Sequence, residues 1–367
     1  MKKIILLKSG SSQNGGLEKY THLLAKGFID SGCDVTLLTS GCIKNKNTPY
    51  DQISLCNRSK ISYFHLNKFD EQSDKWIKAH QPDIIFGLDR NRFQTHYRAG
   101  NGAHKTYLNR RSTDEGIAKT LSFYINPLHR KILALEKKTY ESSGLRRLFT
   151  NSHMVKNEIL QSYKTEPNKI SVIHNGVEWD KLKTPFEESF NECCINHQFL
   201  FVGNGYVRKG LAHLLLALSY IKNEQWNLTV IGHEKNPLYY ESYAETLGIR
   251  HKISFLGMIP SIISYLQKAD TLVVPSLYDP FANVTLEALA MGVYVVSSKT
   301  NGASEILNAE NGSIIPSLDE PLSFAEILKK ALCRSKTLES ASLIRHSIQQ
   351  YSLQNQIGKM INETLRS

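Results

Sequence analysis

Two acidic residues lie at the junction between a predicted strand and a predicted helix. The apolar run 271–276 is typical of a buried strand, and apolar residues follow at helical spacing from Val284 onward. Asp279 and Glu287 flank the start of that helix. A helix N-terminus favours anions such as a phosphate. A carboxylate beside that phosphate has the same sign of charge and is therefore poorly suited to face it directly. We expect the two carboxylates to accept hydrogen bonds from sugar hydroxyls beside a bound phosphate.

Two cations stand at a second strand-to-helix junction. Arg208 and Lys209 immediately precede a helix predicted over 211–221. Positive side chains at a helix N-terminus cost roughly 0.3–1 kcal/mol each, a cost that is reasonable if an anion binds between them. The alternative is an exposed basic turn without a ligand. The spacing of Gly203, Gly205 and Arg208 lacks the third glycine of the dinucleotide fingerprint, which argues against a nicotinamide enzyme.

Glycines follow several other predicted strands. Gly15 and Gly16 follow the first strand and open the first helix, where a backbone can approach a phosphate closely. A tight turn without a ligand explains them equally well. Gly232 and Met258 follow two later strands, where pockets could receive a base or a ribose. The loop 98–104 contains two glycines and ends in His104. This histidine is either part of a site or an ordinary loop residue.

Several other chemistries have no motif in this sequence. There is no Asp-x-Asp pair, no His/Cys set with zinc spacing and no Gly-x-Ser-x-Gly elbow. We therefore predict no metal site and no bound cofactor. Any catalysis would be metal-independent, with Arg208, Lys209 and helix N-termini stabilising a phosphate leaving group.

The charge of the chain is unevenly distributed. Residues 1–175 contain 28 Lys and Arg against 15 Asp and Glu, a net charge of +13, and residues 176–367 contain 17 against 19, a net charge of −2. This asymmetry predicts an anionic partner for the first half, either nucleic acid or an anionic membrane surface. A solvated basic surface is the alternative. The basic segment 117–147 could lie on anionic lipid or pack on its domain with a solvated basic face.

Composition indicates an ordinary soluble protein with reduced thiols. The chain is 41% hydrophobic and 22% charged, and none of its apolar runs reaches the roughly 20 residues that span a bilayer. The apolar core of the segment 1–8 is short, which favours a first buried strand over a signal peptide. The six cysteines show no CxxC pair, as expected in the cytoplasm.

Alternation of apolar runs and helical patterns predicts an α/β protein with two successive doubly wound parallel sheets. In the first half we place strands at 4–7, 35–38, 84–88, 148–150 and 170–173, a helix at 17–29, an apolar run at 61–64 and a short helix at 76–79. In the second half we place strands at 199–202, 228–231, 253–256, 271–274, 293–296 and 313–315, with helices between them and terminal helices at 321–334 and 339–365.

We predict two facing Rossmann-like domains. The first spans 1–175, and a polar linker over 176–197 joins it to the second, which spans 198–345. The C-terminal helix, 346–367, is predicted to pack back on the first domain.

Five motifs, which are named below and occur in the same order along the chain, resemble those of the retaining glycosyltransferases of family 4. These are two-domain enzymes of the GT-B fold. Within that family, the motifs resemble most the branch that builds lipopolysaccharide core. The resemblance covers nearly the whole chain, and its most specific parts are Asn14–Glu18, Ile173–Val177, Val202–Leu211, Tyr278–Ser298 and Asn301–Ile306.

The resemblance implies roles at a donor site. Arg208 and Lys209 would neutralise the diphosphate as it leaves. Glu287 would hold the ribose hydroxyls, and Asp279 would contact the donor sugar. The family usually has Glu where this chain has Asp279, which leaves the identity of the donor open. The implied donor-binding residues also include Gly15, Gly16, Gly232, Met258, Ala282, Asn283 and Val284, the last three through backbone amides.

The resemblance also implies roles for the first domain. His104 would lie beside the donor sugar near the reacting carbon. Acceptor binding falls to this domain in the GT-B fold, and we assign it to Arg98, Asn101, Arg110 and Arg111; the three arginines carry charges that suit an anionic acceptor.

The resemblance and these residues together imply a retaining hexosyltransferase that would move a sugar, expected to be glucose, from a UDP-sugar to a lipid-linked anionic saccharide such as lipopolysaccharide inner core. Its place would be the cytoplasmic surface of the inner membrane, as a peripheral protein, and it would not bind nucleic acid. A nucleotide-sugar epimerase or a phosphorylase of similar fold is one alternative. A basic nucleic-acid-binding protein is another, disfavoured because no recognition motif is visible.

Overall fold

The protein was analysed as a computed structural model, which describes residues 1–10, 16–43, 47–115, 122–123, 125–190 and 195–367, with 111–115 described by their backbone only. The chain divides into two compact units. The first comprises Met1–Ile173 and Gln356–Ser367, and the second comprises His174–Asn355. The predicted α/β class, with two Rossmann-like domains built on parallel sheets, is confirmed.

The first unit contains a sheet of seven parallel strands in the order β3-β2-β1-β4-β5-β6-β7. Its central strands are apolar runs buried on both faces, as is typical of parallel sheets covered by helices. The strands are β1 Lys3–Leu7, β2 Asp34–Thr39, β3 Asp51–Ser54, β4 Ile84–Gly87, β5 His96–Arg98, β6 Arg147–Thr150 and β7 Ile170–Val172.

Helices in the first unit differ from the predicted ones around residue 61. The run 61–64 and the short helix 76–79 belong to one helix, α2, which covers Ser62–His80 and buries Phe69, Asp70 and Ser73. The other helices are α1 Gly16–Asp30, α3 His104–Glu115, α4 Pro127–Tyr140 and α5 His153–Ser162. The basic helix α4 buries Leu135, Glu136, Thr139 and Tyr140, so one of its faces packs within the unit.

The second unit contains a sheet of six parallel strands in the order β10-β9-β8-β11-β12-β13. The chain enters at β8, moves outward through β9 and β10, and returns to add β11 on the other side of β8. The strands are β8 His197–Val202, β9 Trp226–Ile231, β10 Ile253–Gly257, β11 Thr271–Val274, β12 Tyr294–Ser298 and β13 Gly312–Ile315. This change of direction between β8 and β11 creates the type of crevice in which α/β sheets bind ligands.

The helices of the second unit cover its sheet and include three at the C-terminal end of the chain. In chain order they are α6 Lys183–Glu187, α7 Leu211–Ser219, α8 Pro237–Thr246, α9 Ile263–Lys268, α10 Asn283–Ala290, α11 Pro321–Leu332 and α12 Leu338–Ser347, and α13 Leu353–Arg366 begins in this unit. None of the helices among the described residues combines the length and the apolar character that crossing a membrane requires.

The segment 176–197, predicted as a linker, is folded onto the second unit over its described residues. Val177, Leu182 and Phe186 are buried in the core of that unit. Arg345 holds the segment in place: its guanidinium lies 4.0 Å from the ring centroid of Trp179 and donates to the carbonyl oxygens of Trp179, Leu182 and Ala290. The prediction of a linker rested on polar composition, which does not reveal these buried anchors.

The terminal helix predicted over 339–365 is two helices, α12 and α13. Between α12 and α13 the chain pairs with an earlier segment: Val177 donates its N–H to Tyr351 O at 3.0 Å, and Leu353 donates to Val177 O at 2.8 Å. From Gln356 onward α13 belongs to the first unit. Its buried residues, Gln356, Ile357, Met360, Ile361 and Thr364, recur at helical spacing.

We expect the substitution Arg345→Met to lower the free energy of unfolding of the second unit by about 3 kcal/mol, because it leaves three carbonyl oxygens without their donor. Burial already lowers the pKa of Arg345, so its contacts carry a desolvation cost that the methionine avoids. Urea unfolding followed by tryptophan fluorescence measures the effect. Arg334→Met is the matched control, since the exposed Arg334 stacks on Tyr294 at 4.4 Å and donates to Ala309 O. Equal losses for both variants would contradict the anchoring role of Arg345.

Candidate functional site

The loops that follow β8, β9 and β10 are hydrogen-bonded to one another at the carboxyl edge of the second sheet. Gly203 N donates to Ile231 O at 2.9 Å, and Gly232 N donates to Gly257 O at 2.8 Å. Tyr206 joins two of the loops, because its hydroxyl donates to Gly232 O at 2.9 Å. These hydrogen bonds fix the backbone of the three loops relative to one another, so that a ligand at this edge would bind against a rigid surface.

Three charged side chains meet where the chain changes direction between β8 and β11. Oδ2 of Asp279 accepts from Nζ of Lys209 at 2.7 Å and from Nη1 of Arg208 at 3.2 Å. Lys209 and Asp279 are both only 8% exposed, whereas the Arg208 side chain is 41% exposed. The three predicted residues therefore form one cluster with one more positive charge than negative, a suitable environment for an anion.

Gly203 makes room for the buried lysine, and Gly210, which follows that lysine, makes room for Pro275. A Cβ on Gly203 would lie 2.8 Å from Cγ of Lys209 and 3.0 Å from its Cδ, so the lysine stem lies flat against a bare backbone. Gly210 has a φ of +74°, and a Cβ there would collide with the carbonyl oxygen of Pro275. Both positions therefore require glycine.

The turn after β11 is held by Asn301, which is fully buried. Its Oδ1 accepts from Ala282 N at 3.0 Å and from Ala303 N at 3.2 Å, and its Nδ2 donates to Ser297 Oγ at 2.9 Å. The backbone of Asp279 pairs with the same segment, since Asp279 N donates to Thr300 O at 3.1 Å. Asn301 therefore fixes both the cluster and the start of the next helix.

That next helix, α10, begins at Asn283 with Ala282 as its N-cap residue. The first N–H groups of a helix have no acceptor within the helix, and its dipole favours anions. Ala282 N is used by Asn301, so the amides of Asn283 and Val284 are better placed than that of Ala282 to receive a ligand phosphate. The structure thus narrows the predicted set of three amides to two.

Glu287 lies on α10 and is half-buried. Burial raises the pKa of its carboxyl, and the negative charge of Glu178 raises that pKa further. A ligand that donates hydrogen bonds to Glu287, such as a ribose, would favour its ionised form. Gly232 and Met258 lie in the loops after β9 and β10, and the Met258 side chain is 73% exposed.

In the first unit, Arg98, Asn101 and His104 lie in and beside one loop, which leads from β5 to α3. The guanidinium of Arg98 lies 4.3 Å from the ring centroid of Tyr20, and Asn101 is exposed. His104 is only 8% exposed and is the first residue of α3. Its N–H donates to both oxygens of Glu136, at 2.9 and 3.0 Å.

Other predicted residues of the first unit are more dispersed. Gly16 begins α1 directly after the β1 loop. Arg110 lies further along α3, with Nη2 3.5 Å from Oε1 of Glu158. Gly15 and the side chain of Arg111 lie outside the described residues. Arg98, Asn101 and His104 therefore lie in and beside one loop. Arg110 lies apart from them on α3, where it pairs with Glu158 of α5.

Sequence reasoning missed four residues that shape these sites: Asn301, Gly210, Glu234 and Glu136. Asn301 lay inside a quoted motif without a role. Oε2 of Glu234 accepts from Tyr206 N at 2.6 Å, and its Oε1 accepts from Lys235 N at 2.6 Å, so this side chain links the loop after β8 to the loop after β9. Glu136 had one available signal, an acid at a buried position of the otherwise basic helix α4. No three His, Cys, Asp or Glu side chains in the described part of the chain are placed to hold a metal ion, and metal independence remains a prediction.

Two family models match consecutive parts of the chain. The model Glycosyltransferase Family 4 matches residues 14–181. The model Glycosyl transferases group 1 matches residues 195–343. The charged cluster, Asn301 and α10 all lie within the second match, and the loop 98–104 lies within the first.

Individual relatives agree with the family models. An uncharacterized glycosyltransferase of Methanocaldococcus jannaschii is 28% identical over 82% of this chain and 80% of its own length. The lipopolysaccharide glucosyltransferase WaaG of Escherichia coli is 23% identical over 88% of this chain and 87% of its own length.

Solved structures show the same fold. A crystal structure of WaaG superposes with a TM-score of 0.77 at 19% identity, covering 99% of this chain and 100% of that one. HepE of Anabaena, solved in complex with UDP and glucose, gives a TM-score of 0.66 at 18% identity and covers 100% of both chains.

We expect Asn301→Ala to lower both stability and affinity for UDP, because it releases the start of α10 along with three buried hydrogen bonds. The loss of stability should be about 2 kcal/mol. Thermal unfolding with and without UDP measures both quantities. Asn311→Ala is the matched control: Asn311 is also fully buried, and it bonds Asn308 N and Ser347 Oγ. Its stability should fall similarly while its affinity for UDP stays unchanged. If both variants lost UDP affinity alike, the assignment of Asn301 to the site would fail.

Proposed function

Because the chain belongs to the family 4 glycosyltransferases with the GT-B fold, we propose that it transfers a hexosyl unit from a UDP-sugar, with retention at the anomeric carbon. The proposed donor is UDP-glucose. The proposed acceptor is a lipid-linked anionic saccharide, such as lipopolysaccharide inner core, at the cytoplasmic surface of the inner membrane. This assignment is supported by the similarity to WaaG, a lipopolysaccharide glucosyltransferase, and by HepE, which binds UDP and glucose.

The observation that carries the proposal is the contact of Lys209 and Arg208 with Asp279 at the start of the crevice between β8 and β11. A leaving nucleoside diphosphate accumulates negative charge as its bond to the sugar breaks. Cations already fixed in place stabilise that charge without reorganisation. The amides of Asn283 and Val284 add the positive end of a helix dipole to the same edge.

The proposed reaction needs no protein nucleophile. The acceptor hydroxyl oxygen forms a bond to the anomeric carbon on the face from which the diphosphate oxygen departs. The hydroxyl proton passes to that departing oxygen, so the products are the glycoside and UDP. Arg208 and Lys209 stabilise the departing diphosphate, and Glu287 holds the ribose.

The first unit has features that suit an amphiphilic anionic acceptor. Next to the loop 98–104 lies a cavity of about 290 Å³ between α3, α4 and the end of α5. Leu108, Phe123 and Leu133 contribute apolar lining, while Lys105 and Lys137 contribute two positive charges against one negative charge from Glu141. An apolar pocket with cations at its border can hold a lipid chain while its head group remains solvated. The net charge of +13 in residues 1–175 acts in the same direction.

The function is tested by measuring UDP release from a panel of UDP-sugars with a lipid-linked oligosaccharide acceptor. We expect release from one sugar to depend on the acceptor, which separates a transferase from an epimerase. Arg208→Ala and Lys209→Ala should each lower kcat by about 10²–10³-fold, the usual effect of removing one donor that stabilises a transition-state oxyanion.

The matched control is Arg250→Ala. The Arg250 side chain is 36% exposed and pairs with Glu241, so its burial and pairing resemble those of Arg208. Its removal should leave kcat unchanged. Wild-type turnover in the Arg208 and Lys209 variants would refute the proposed leaving-group role, and the absence of binding to any nucleotide sugar would refute the function.

Affinity for UDP should fall as the pH drops through the raised pKa of Glu287, because protonation removes the carboxylate that accepts from the ribose. Replacing Glu178 with Gln removes a negative charge that raises this pKa. The decline in affinity should therefore shift to lower pH in Glu178→Gln. Calorimetric titration with UDP across a pH series measures the shift. Glu245→Gln, which removes an exposed acid from α8, should cause none. An unchanged pH profile in Glu178→Gln would contradict the assignment of this titration to Glu287.

A further inference from the structure

Glu136 is a buried carboxylate of the first unit to which the proposed reaction assigns no role. It is 2% exposed and lies in the last third of α4. Its oxygens accept from the backbone N–H of His104, from Nε of Arg90 at 3.3 Å and from the hydroxyl of Tyr163 at 2.8 Å. One side chain therefore connects α4 with three other segments of the unit.

Burying a carboxylate costs desolvation free energy unless hydrogen-bond donors and a positive charge compensate it. Burial raises the pKa of Glu136, and the charge of Arg90 and the hydrogen bond from His104 oppose that increase. A well-packed apolar side chain would hold α4 in the core at a smaller cost in desolvation. What an apolar side chain cannot provide is an acceptor for the N–H of His104.

That N–H requires an acceptor from outside its own helix. His104 is the first residue of α3, and the first N–H groups of a helix have no acceptor within it. An ionised carboxylate at this end also interacts favourably with the helix dipole. Glu136 thus specifies where α3 begins, and with it the direction in which His104 leaves the backbone.

Helix α4 also contacts the imidazole of His104. Nε2 of His104 lies 3.0 Å from Nδ1 of His129, and the two rings are 5.0 Å apart. His129 and Glu136 are seven residues apart on α4, which places them on the same face of that helix. One helix face therefore holds both the backbone and the ring of His104.

We propose that Glu136 is a positioning residue for sugar transfer, which acts by fixing the position of His104. This inference rests on the proposed function and on the role that the family resemblance implies for His104, near the reacting carbon. Glu136 touches neither donor nor acceptor in this scheme. We attribute its effect on kcat to His104, whereas its bond to Tyr163, which lines the cavity described above, would act on acceptor binding.

The first test is a double-mutant cycle with Glu136→Gln and His104→Ala, measured by UDP release. Glutamine keeps the shape of the side chain and loses the charge. We expect Glu136→Gln to lower kcat by about tenfold or more, since small displacements of a positioned group have effects of that size. The KM for the donor should change little. Adding Glu136→Gln to His104→Ala should cause no further loss, because the positioned ring is already absent.

Asp70→Asn is the matched control. Asp70 is 1% exposed, lies in the same unit and pairs with Arg92 and Lys131 rather than with the loop 98–104. This variant makes the same carboxylate-to-amide change and should leave kcat unchanged. Glu136→Asp provides a second variant in case the glutamine disturbs folding: it keeps the charge but shortens the reach to His104, and kcat should again fall.

The second test does not depend on activity. Amide hydrogen exchange of the peptide that contains His104 should show one protected N–H at the start of α3 in the wild type. Glu136→Gln should exchange that amide faster, and Asp70→Asn should not. Unchanged exchange at His104 would overturn the inference, and so would losses of kcat that multiply across the cycle. A wild-type protein that turned over no nucleotide sugar would instead refute the proposed function, while the exchange result would still decide whether Glu136 positions His104.

Discussion

The ammonium group of Lys209 cannot be buried without a negative charge beside it, and that requirement organises the second unit. Transfer of an unpaired cation into a protein interior costs several kcal/mol, so Asp279 must stay within hydrogen-bonding distance at 2.7 Å. The contact ties the loop after β8 to the loop after β11, on either side of the crevice. The bare backbone at Gly203 and the buried amide of Asn301 follow from the same requirement, because both keep the pair together.

The first unit meets a comparable requirement by different means. Glu136 is also a buried carboxylate, but its donors include a backbone N–H, a tyrosine hydroxyl and the guanidinium of Arg90. In the second unit the acid holds two cations that would act on a leaving group. In the first, the acid holds a segment of backbone. Each unit therefore uses one buried carboxylate to fix a loop at the carboxyl edge of its sheet.

The sequence allowed the central strands to be predicted because parallel strands buried on both faces are continuous apolar runs. It did not reveal β5, whose residues His96–Arg98 are polar, or the continuity of α2, whose middle is polar as well. The site residues divide in the same way, into those that a local pattern reveals and those that it does not. Arg208, Lys209 and Asp279 could be predicted because a charged residue that follows a strand is recognised from the local sequence, without knowledge of distant contacts. The bond between Asp279 and Lys209 joins residues 70 positions apart, and no local pattern encodes it. For Glu136 the acid in a basic helix was a local signal, but its partners His104 and Arg90 lie 32 and 46 positions away.

In this geometry the short side chain of Asp279 also serves its own turn. Oδ1 of Asp279 accepts from Phe281 N, two residues further on, at 3.1 Å. This is the geometry in which an aspartate side chain closes a turn on its own backbone, and it depends on the short side chain. The other oxygen is occupied by Arg208 and Lys209, so of the roughly four acceptor sites of a carboxylate about one remains for a ligand. Asp279 therefore chiefly orders the cations and the turn, through three of its roughly four acceptor positions.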